Sequence, residues 1–342
     1  MHNRITRRHA MGLVAVAPVL IHEVSQAATR RIDETGFVRI GGIDQWIGVQ
    51  GTDLRNPVIV YLHGGPGEAQ SPFLKEFIPW ERDFTVVNWD QRGSGKTYGK
   101  NGSSTPGMSP PEMALDRMCE DTREVAEYAR KRLSKKKVIL VGHSWGSMLG
   151  LHVVKRWPEL FHAFVGTGQV VSVELLLEAE EHWAREQATK SGDQETLKAL
   201  ADTGVLPTTD MRRFMAPRKY VMTPSDQTYL KVQLEFIGPP PPPKQGDVAD
   251  WLAGTPFSFP RLFPAIAKFD ARKLGLDVPI PFFVIQGRDD HVVSFEAAQA
   301  YMAEVRAPKK AFIPIRGGHF ACFTSPKEFV GALRQHVRPI AA

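Results

Sequence analysis

Five residues near the middle of the chain, Gly142-His143-Ser144-Trp145-Gly146, have the spacing of a serine thrust out on a sharp strand-to-helix turn. The apolar run KVILVG (137–142) leads into them, and small helix-forming residues follow. A serine hydroxyl is a weak nucleophile until a base takes its proton, so the pattern has chemical meaning only with partners. His319, in IRGGHF after the last β-rich run, is the expected general base, because a loop there can swing it above a sheet. His291 stands beside the acid candidates, His143 lies within the turn and His63 in an early loop, while His152, His162, His182 and His336 read as helix or surface positions. The orienting carboxylate is expected in VIQGRDDHVV, at Asp290, with Asp289 open as the alternative. For the oxyanion, the main-chain N–H of Trp145 is one expected donor and that of Gly64 or Gly65, in 63-HGGPG-67, the other; Pro66 has no N–H to give.

These residues must be positioned by an α/β framework. Beyond Ala28, β-rich runs alternate with helical stretches, which predicts a mostly parallel sheet flanked by helices. The segment 37–51 reads as a leading antiparallel hairpin. Residues 56–64, 84–93, 137–142, 161–168, 279–287 and 309–318 read as strands, and 111–134 and 327–337 as helices. Between 169 and 268 no strand of comparable strength appears. That stretch is expected to be an inserted helical cap, with the block Pro239–Pro243 as a stiff spacer. The expected division is an export signal at 1–27, a first part of the core at 28–168, the cap at 169–268 and a second part of the core at 269–342.

Composition narrows the class. A 42% hydrophobic and 23% charged chain of 342 residues is that of a globular protein, with no apolar run long enough to span a membrane. The net charge of +6 is concentrated at the start, where Arg4, Arg7, Arg8, Arg30 and Arg31 face Glu23 alone; a nucleic-acid partner is not expected. The basic start, the apolar stretch from Ala10 to Ile21 and the small residues at Ser25-Gln26-Ala27 follow the order of an export signal, twin-arginine-like at Arg7-Arg8. A periplasmic location is expected, with an uncleaved tail on a cytoplasmic enzyme as the alternative. Cys119 and Cys322 are too few for a disulfide framework or a metal site and read as buried thiols.

Together, HGGPG (63–67), NWDQRGSGKT (88–97), GHSWGS (142–147), GRDD (287–290) and GGHF (317–320) resemble the α/β-hydrolase superfamily, and within it the proline iminopeptidase family of serine peptidases. The resemblance implies an α/β-hydrolase fold with a helical cap, a Ser144–His319–Asp290 triad, and removal of an N-terminal residue from a peptide without metal or cofactor. It also implies a loop-fixing role for Asp90, Arg92 and Gly93, and cap acids that capture the substrate amine. The cap candidates are Glu178, Glu180, Glu181 and Glu235, with Trp183 beside them. An esterase, lipase-like enzyme or amidase acting on a small non-peptide substrate through the same triad is the second expectation. A ligand-binding receptor on the same fold is a third. Epoxide hydrolases and haloalkane dehalogenases need a carboxylate where Ser144 stands.

Overall fold

Runs such as Val58–Leu62, Val138–His143 and Phe282–Gly287 are apolar on both faces, as strands covered by helices on either side must be. A computed structural model, which describes residues 31–110, 112–201, 217–237 and 247–341, places them inside an eight-stranded sheet. The strands are β1 (Ile32–Ile40), β2 (Ile43–Gly51), β3 (Val58–Leu62), β4 (Thr85–Trp89), β5 (Val138–His143), β6 (Phe161–Thr167), β7 (Phe282–Gly287) and β8 (Lys310–Ile315), in the spatial order β1-β2-β4-β3-β5-β6-β7-β8. The β1–β2 hairpin is antiparallel and joins β4 antiparallel, while the pairings from β4 to β8 are parallel. Pro314 is tolerated because β8 is an edge strand.

Successive strand residues point to opposite faces, and the core divides accordingly. Val60, Leu62, Leu140 and Phe164 face one apolar cluster, while Ile59, Tyr61, Ile139 and Val141 face the other. The helices covering the sheet include α1 (Leu115–Arg132) and α2 (Trp145–Arg156). The helix expected over 111–134 begins at Leu115, because the Ser109 carbonyl accepts the N–H groups of Glu112 and Met113 in a turn, and Ala114 is extended. Near the C terminus, Pro326–Ala332 is α-helical and passes into a π-helical turn at Leu333–Val337. Cys119 and Cys322 are free and buried.

Between β6 and β7 the described residues form helices: α3 (Val173–Ser191), α4 (Gln194–Ala201), α5 (Arg218–Val221), α6 (Pro224–Ile237) and α7 (Asp247–Ile266). Residues 1–27 and the block Pro239–Pro243 lie outside the described residues. Among the described residues no helix is long and apolar enough to cross a membrane.

One buried ion pair ties the loop after β4 to helix α1. Arg92 is fully buried and donates through Nε to Asp121 Oδ2 at 2.7 Å and through Nη2 to Asp121 Oδ1 at 3.0 Å; it also donates to the carbonyls of Gly41 and Gly107. Removing one partner strands the other charge in the interior. Asp121→Ala is therefore expected to cost about 3–5 kcal/mol. The loss should appear as a lower midpoint in urea unfolding.

Candidate active site

The serine turn is built by close backbone approach. Ser144 has φ 54° and ψ −119°, a left-handed conformation that is costly for a residue with a side chain. A Cβ on Gly142 would stand 2.3 Å from the Gly146 carbonyl oxygen, and one on Gly146 would stand 2.2 Å from that of Leu62. Both positions therefore exclude side chains, and α2 starts immediately after Ser144 with its positive end at the serine.

His319 is 5% exposed, and its Nδ1 lies 3.2 and 3.3 Å from the two oxygens of Asp290. Asp290 Oδ1 accepts the N–H groups of Val292 and Val293 at 3.1 and 2.9 Å, and Oδ2 accepts from Gln286 Nε2 at 2.9 Å. Asp289 is exposed, so of the two adjacent acids it is Asp290 that meets the imidazole. Burial opposes a charge on His319, but the charge and hydrogen bond of Asp290 prevail and raise its pKa above the ordinary histidine value. With Nδ1–H directed at the carboxylate, Nε2 is left as the proton acceptor.

Ser144 and His319 share their neighbours. The His319 ring lies 4.7 Å, centre to centre, from the ring of His143, the residue before Ser144. Ser144 N–H donates to the Thr167 carbonyl at 3.0 Å, and a Cβ on the next residue, Gly168, would stand 2.8 Å from His319 Cε1. His143 donates from Nε2 to the His319 carbonyl at 3.0 Å. Burial above all, and then the His319 charge, push the His143 pKa down to about 3, which leaves it a neutral prop.

The HGGPG loop is held by a chain of polar contacts from the loop after β4. His63 donates from Nδ1 to the Gly64 carbonyl at 2.8 Å and accepts the Gln91 N–H at Nε2, at 3.1 Å. Burial lowers its pKa to about 4, so it keeps this tautomer. Gln91 Oε1 in turn accepts the Trp145 indole N–H at 2.9 Å. A Cβ on Gly64 would stand 3.4 Å from Ser144 Cβ, so the first glycine of the loop flanks the serine. Asp90 is buried and accepts the N–H groups of Gln70, Ser71 and Lys96 at 2.9 to 3.0 Å. Gly93, at φ 80°, meets Ser258 of α7, whose hydroxyl donates to its carbonyl at 2.9 Å.

Three further charges ring the histidine. Glu180, on α3, is fully buried, and burial raises its pKa to about 7 against the pull of Arg218 and His319. Arg218 Nη1, on α5, stands 3.1 Å from Glu180 Oε1 but off the hydrogen-bonding axis, and among the described residues none donates a hydrogen bond to either oxygen of Glu180. Glu68 follows the HGGPG loop; burial raises its pKa, while His319 and Arg218 draw it down. A narrow cavity lined by Phe73, Tyr229, Trp251, Phe320 and Phe323 opens beside His143 and Glu68. A larger, shallow hollow of about 670 Å³ near Lys155 and Arg306 holds none of these groups.

The other cap candidates fall elsewhere. The buried face of α3 is Val173, Leu177, Glu180, Ala184 and Ala188, so Glu178 is exposed and Glu181 pairs with Arg185 at 2.7 Å. Trp183 stacks on His291 at 4.1 Å and donates to the Tyr220 carbonyl, behind the acid loop. Glu235 is on α6, and its side chain lies outside the described residues. Glu68, Arg218 and Asp226 are not among the residues that the sequence points to; of the three, only Glu68 stands next to a motif.

A family model described as alpha/beta hydrolase fold matches residues 57–326. The chain is similar to a probable aminopeptidase, YbaC, of Bacillus subtilis (strain 168), with 29% identity over 87% of this chain and 94% of the relative. It is also similar to a proline iminopeptidase of Neisseria gonorrhoeae, with 28% identity over 39% of each chain. Among solved structures, a proline iminopeptidase-related protein from Thermus thermophilus superposes with a TM-score of 0.65 at 20% identity, covering 91% of this chain and 99% of that one. At that identity the superposition speaks for the fold alone.

Proposed function

The chain belongs to the alpha/beta hydrolase fold family, and on that premise we propose that it is a serine hydrolase with aminopeptidase activity on short peptides or aminoacyl amides. The observation that carries the reading is the His319 imidazole, clamped at Nδ1 by Asp290 and seated against the strained turn that presents Ser144.

In this mechanism Ser144 Oγ attacks the substrate carbonyl carbon while His319 Nε2 takes its proton. The tetrahedral oxyanion is held by the N–H of Trp145 and that of Gly64 or Gly65. Collapse breaks the scissile C–N bond; the leaving amine takes the proton from His319, and an acyl-enzyme remains. Water then attacks the ester carbonyl, gives a proton to His319, and Ser144 leaves with that proton. Asp290 orients the ring and stabilises the imidazolium without itself being protonated.

The preference for an amine rests on Glu180 and Glu68. A fully buried acid and a half-buried one beside the Arg218 guanidinium, the buried one accepting no hydrogen bond from the described residues, are costly alone and favourable around an ammonium. The inserted helices then act as a cap that supplies the acid. The similarity to a probable aminopeptidase supports the same reading.

Glu180→Gln is expected to lower kcat/KM for aminoacyl naphthylamides by about 10–100-fold, the value of roughly one charge-assisted contact. Hydrolysis of p-nitrophenyl acetate, which has no amine, should change by less than about threefold. In the unmutated protein, the ratio of kcat/KM for amine substrates to that for p-nitrophenyl acetate should fall as pH drops through about 7, where Glu180 gains a proton and can no longer pair with an ammonium, while protonation of His319 lowers both alike. Equal rates on free and N-acetylated substrates would reject the aminopeptidase reading. Activity on esters alone would move the assignment to an esterase.

A further inference from the structure

We propose that Asp226 is a positioning residue for His319, through which the helices inserted between β6 and β7 set where the base stands. This inference rests on the reading of His319 as the base.

Helix α6 starts with Thr223-Pro224-Ser225-Asp226, a reciprocal cap. Asp226 N–H donates to Thr223 Oγ1 at 3.1 Å, and Thr223 N–H donates to Asp226 Oδ2 at 3.2 Å. A capping carboxylate usually faces water, yet Asp226 is fully buried. Its Oδ2 also accepts the Thr223 hydroxyl at 2.8 Å and the main-chain N–H of His319 at 3.0 Å, and its Oδ1 accepts the N–H of Phe320 at 3.0 Å. Capping alone needs one oxygen, to accept the Thr223 N–H. The two N–H groups arriving from a segment 93 residues away have no part in capping.

The preceding residue is shaped by the same contact. A Cβ on Gly318 would stand 2.0 Å from Asp226 Oδ2 and 2.6 Å from Thr223 Cγ2, so the second glycine of GGHF makes room for the carboxylate. His319 is thus held at three points from three parts of the fold. Its N–H is on Asp226 of the inserted helices, its carbonyl on His143 of the serine turn, and its Nδ1 on Asp290 after β7. A carboxylate clamping two consecutive main-chain N–H groups leaves the base little freedom to swing.

The charged and titratable groups around the ring come from every element packed on it. Asp290 and Asp226 favour the imidazolium, and Arg218 opposes it. Glu68 of the HGGPG loop and Glu180 of α3 also interact with it, while His143 stays neutral. Taking away the Asp226 charge therefore lowers the base's affinity for a proton.

The test is Asp226→Asn in the full-length protein, assayed on p-nitrophenyl acetate across pH beside Ser144→Ala and His319→Ala. Asparagine keeps one oxygen for the shape of the site, but its NH2 must face the N–H of His319 or that of Phe320. The expected result is a kcat lower by about 10–100-fold, as a base displaced by about 1 Å would give. KM should change by less than about threefold, and the acid limb of kcat/KM should move to lower pH. A rise in KM at unchanged kcat, or a lower Tm with the limb in place, would show that Asp226 only docks the helices. Should Asp226→Asn not fold, Thr223→Ala removes the hydroxyl that steadies Oδ2. A three- to tenfold fall in kcat is expected from it, and an unchanged kcat overturns the proposal. If Ser144→Ala or His319→Ala stayed active, the reading of the site itself would have failed instead.

Discussion

Replacing Ser144 by alanine is expected to lower kcat by about a million-fold and to abolish labelling by a fluorophosphonate, while leaving the protein folded. The reason is local. Oγ is the nucleophile of the proposed reaction, and no other hydroxyl occupies the turn between β5 and α2. Ser144→Gly makes a sharper test, because it removes the nucleophile and relieves the left-handed backbone at φ 54°. That variant should be equally inactive yet more stable by about 1–2 kcal/mol, read from the urea midpoint. A glycine variant both inactive and less stable would contradict the strained-turn account; substantial activity in either variant would remove Ser144 from the chemistry.

Asp290→Asn should cost about 10⁴-fold in kcat, and the hydrogen bonds say why. Oδ1 accepts two main-chain N–H groups, from Val292 and Val293, so the amide oxygen of an asparagine must take that place. Its NH2 then stands where Oδ2 was, facing the Gln286 amide and His319 Nδ1. Two donors cannot share a contact, so His319 would turn its lone pair to Nδ1 and carry the proton on Nε2, where it cannot accept one from Ser144. Asp289→Asn, at the exposed neighbouring acid, should stay within about threefold. The pair of kcat values measured on one ester substrate decides the matter, and similar losses in both would leave the orienting acid unassigned.

Much of this site was legible because its parts sit in short, chemically constrained strings. The glycines at 142 and 146, the HGGPG loop and GGHF each mark a backbone approach too close for a side chain, and such marks survive in sequence. The alternation of β-rich and helical runs was enough for the parallel sheet. The start of α1 lies a few residues beyond the place its sequence suggests, since a turn at Ser109 and a helix start both use Ser-Pro. Glu180 is one of several acids in its stretch of sequence, and only the spacing of Val173, Leu177, Ala184 and Ala188 sets it apart by putting it on the buried face.

The amino-acid order by itself determined the strand-and-helix alternation, the serine turn and its glycine loop, because each depends on neighbours a few residues apart. Only the tertiary structure decided that Asp290 and not Asp289 meets the imidazole, that Glu180 and Glu68 stand at the site, and that a helix cap at Asp226 reaches His319. Those outcomes turn on which side of a loop is buried and on contacts between segments far apart in the chain. Hydrophobic periodicity and turn chemistry fix an element's type and its inward face, but which distant polar group it meets is settled only when the elements pack.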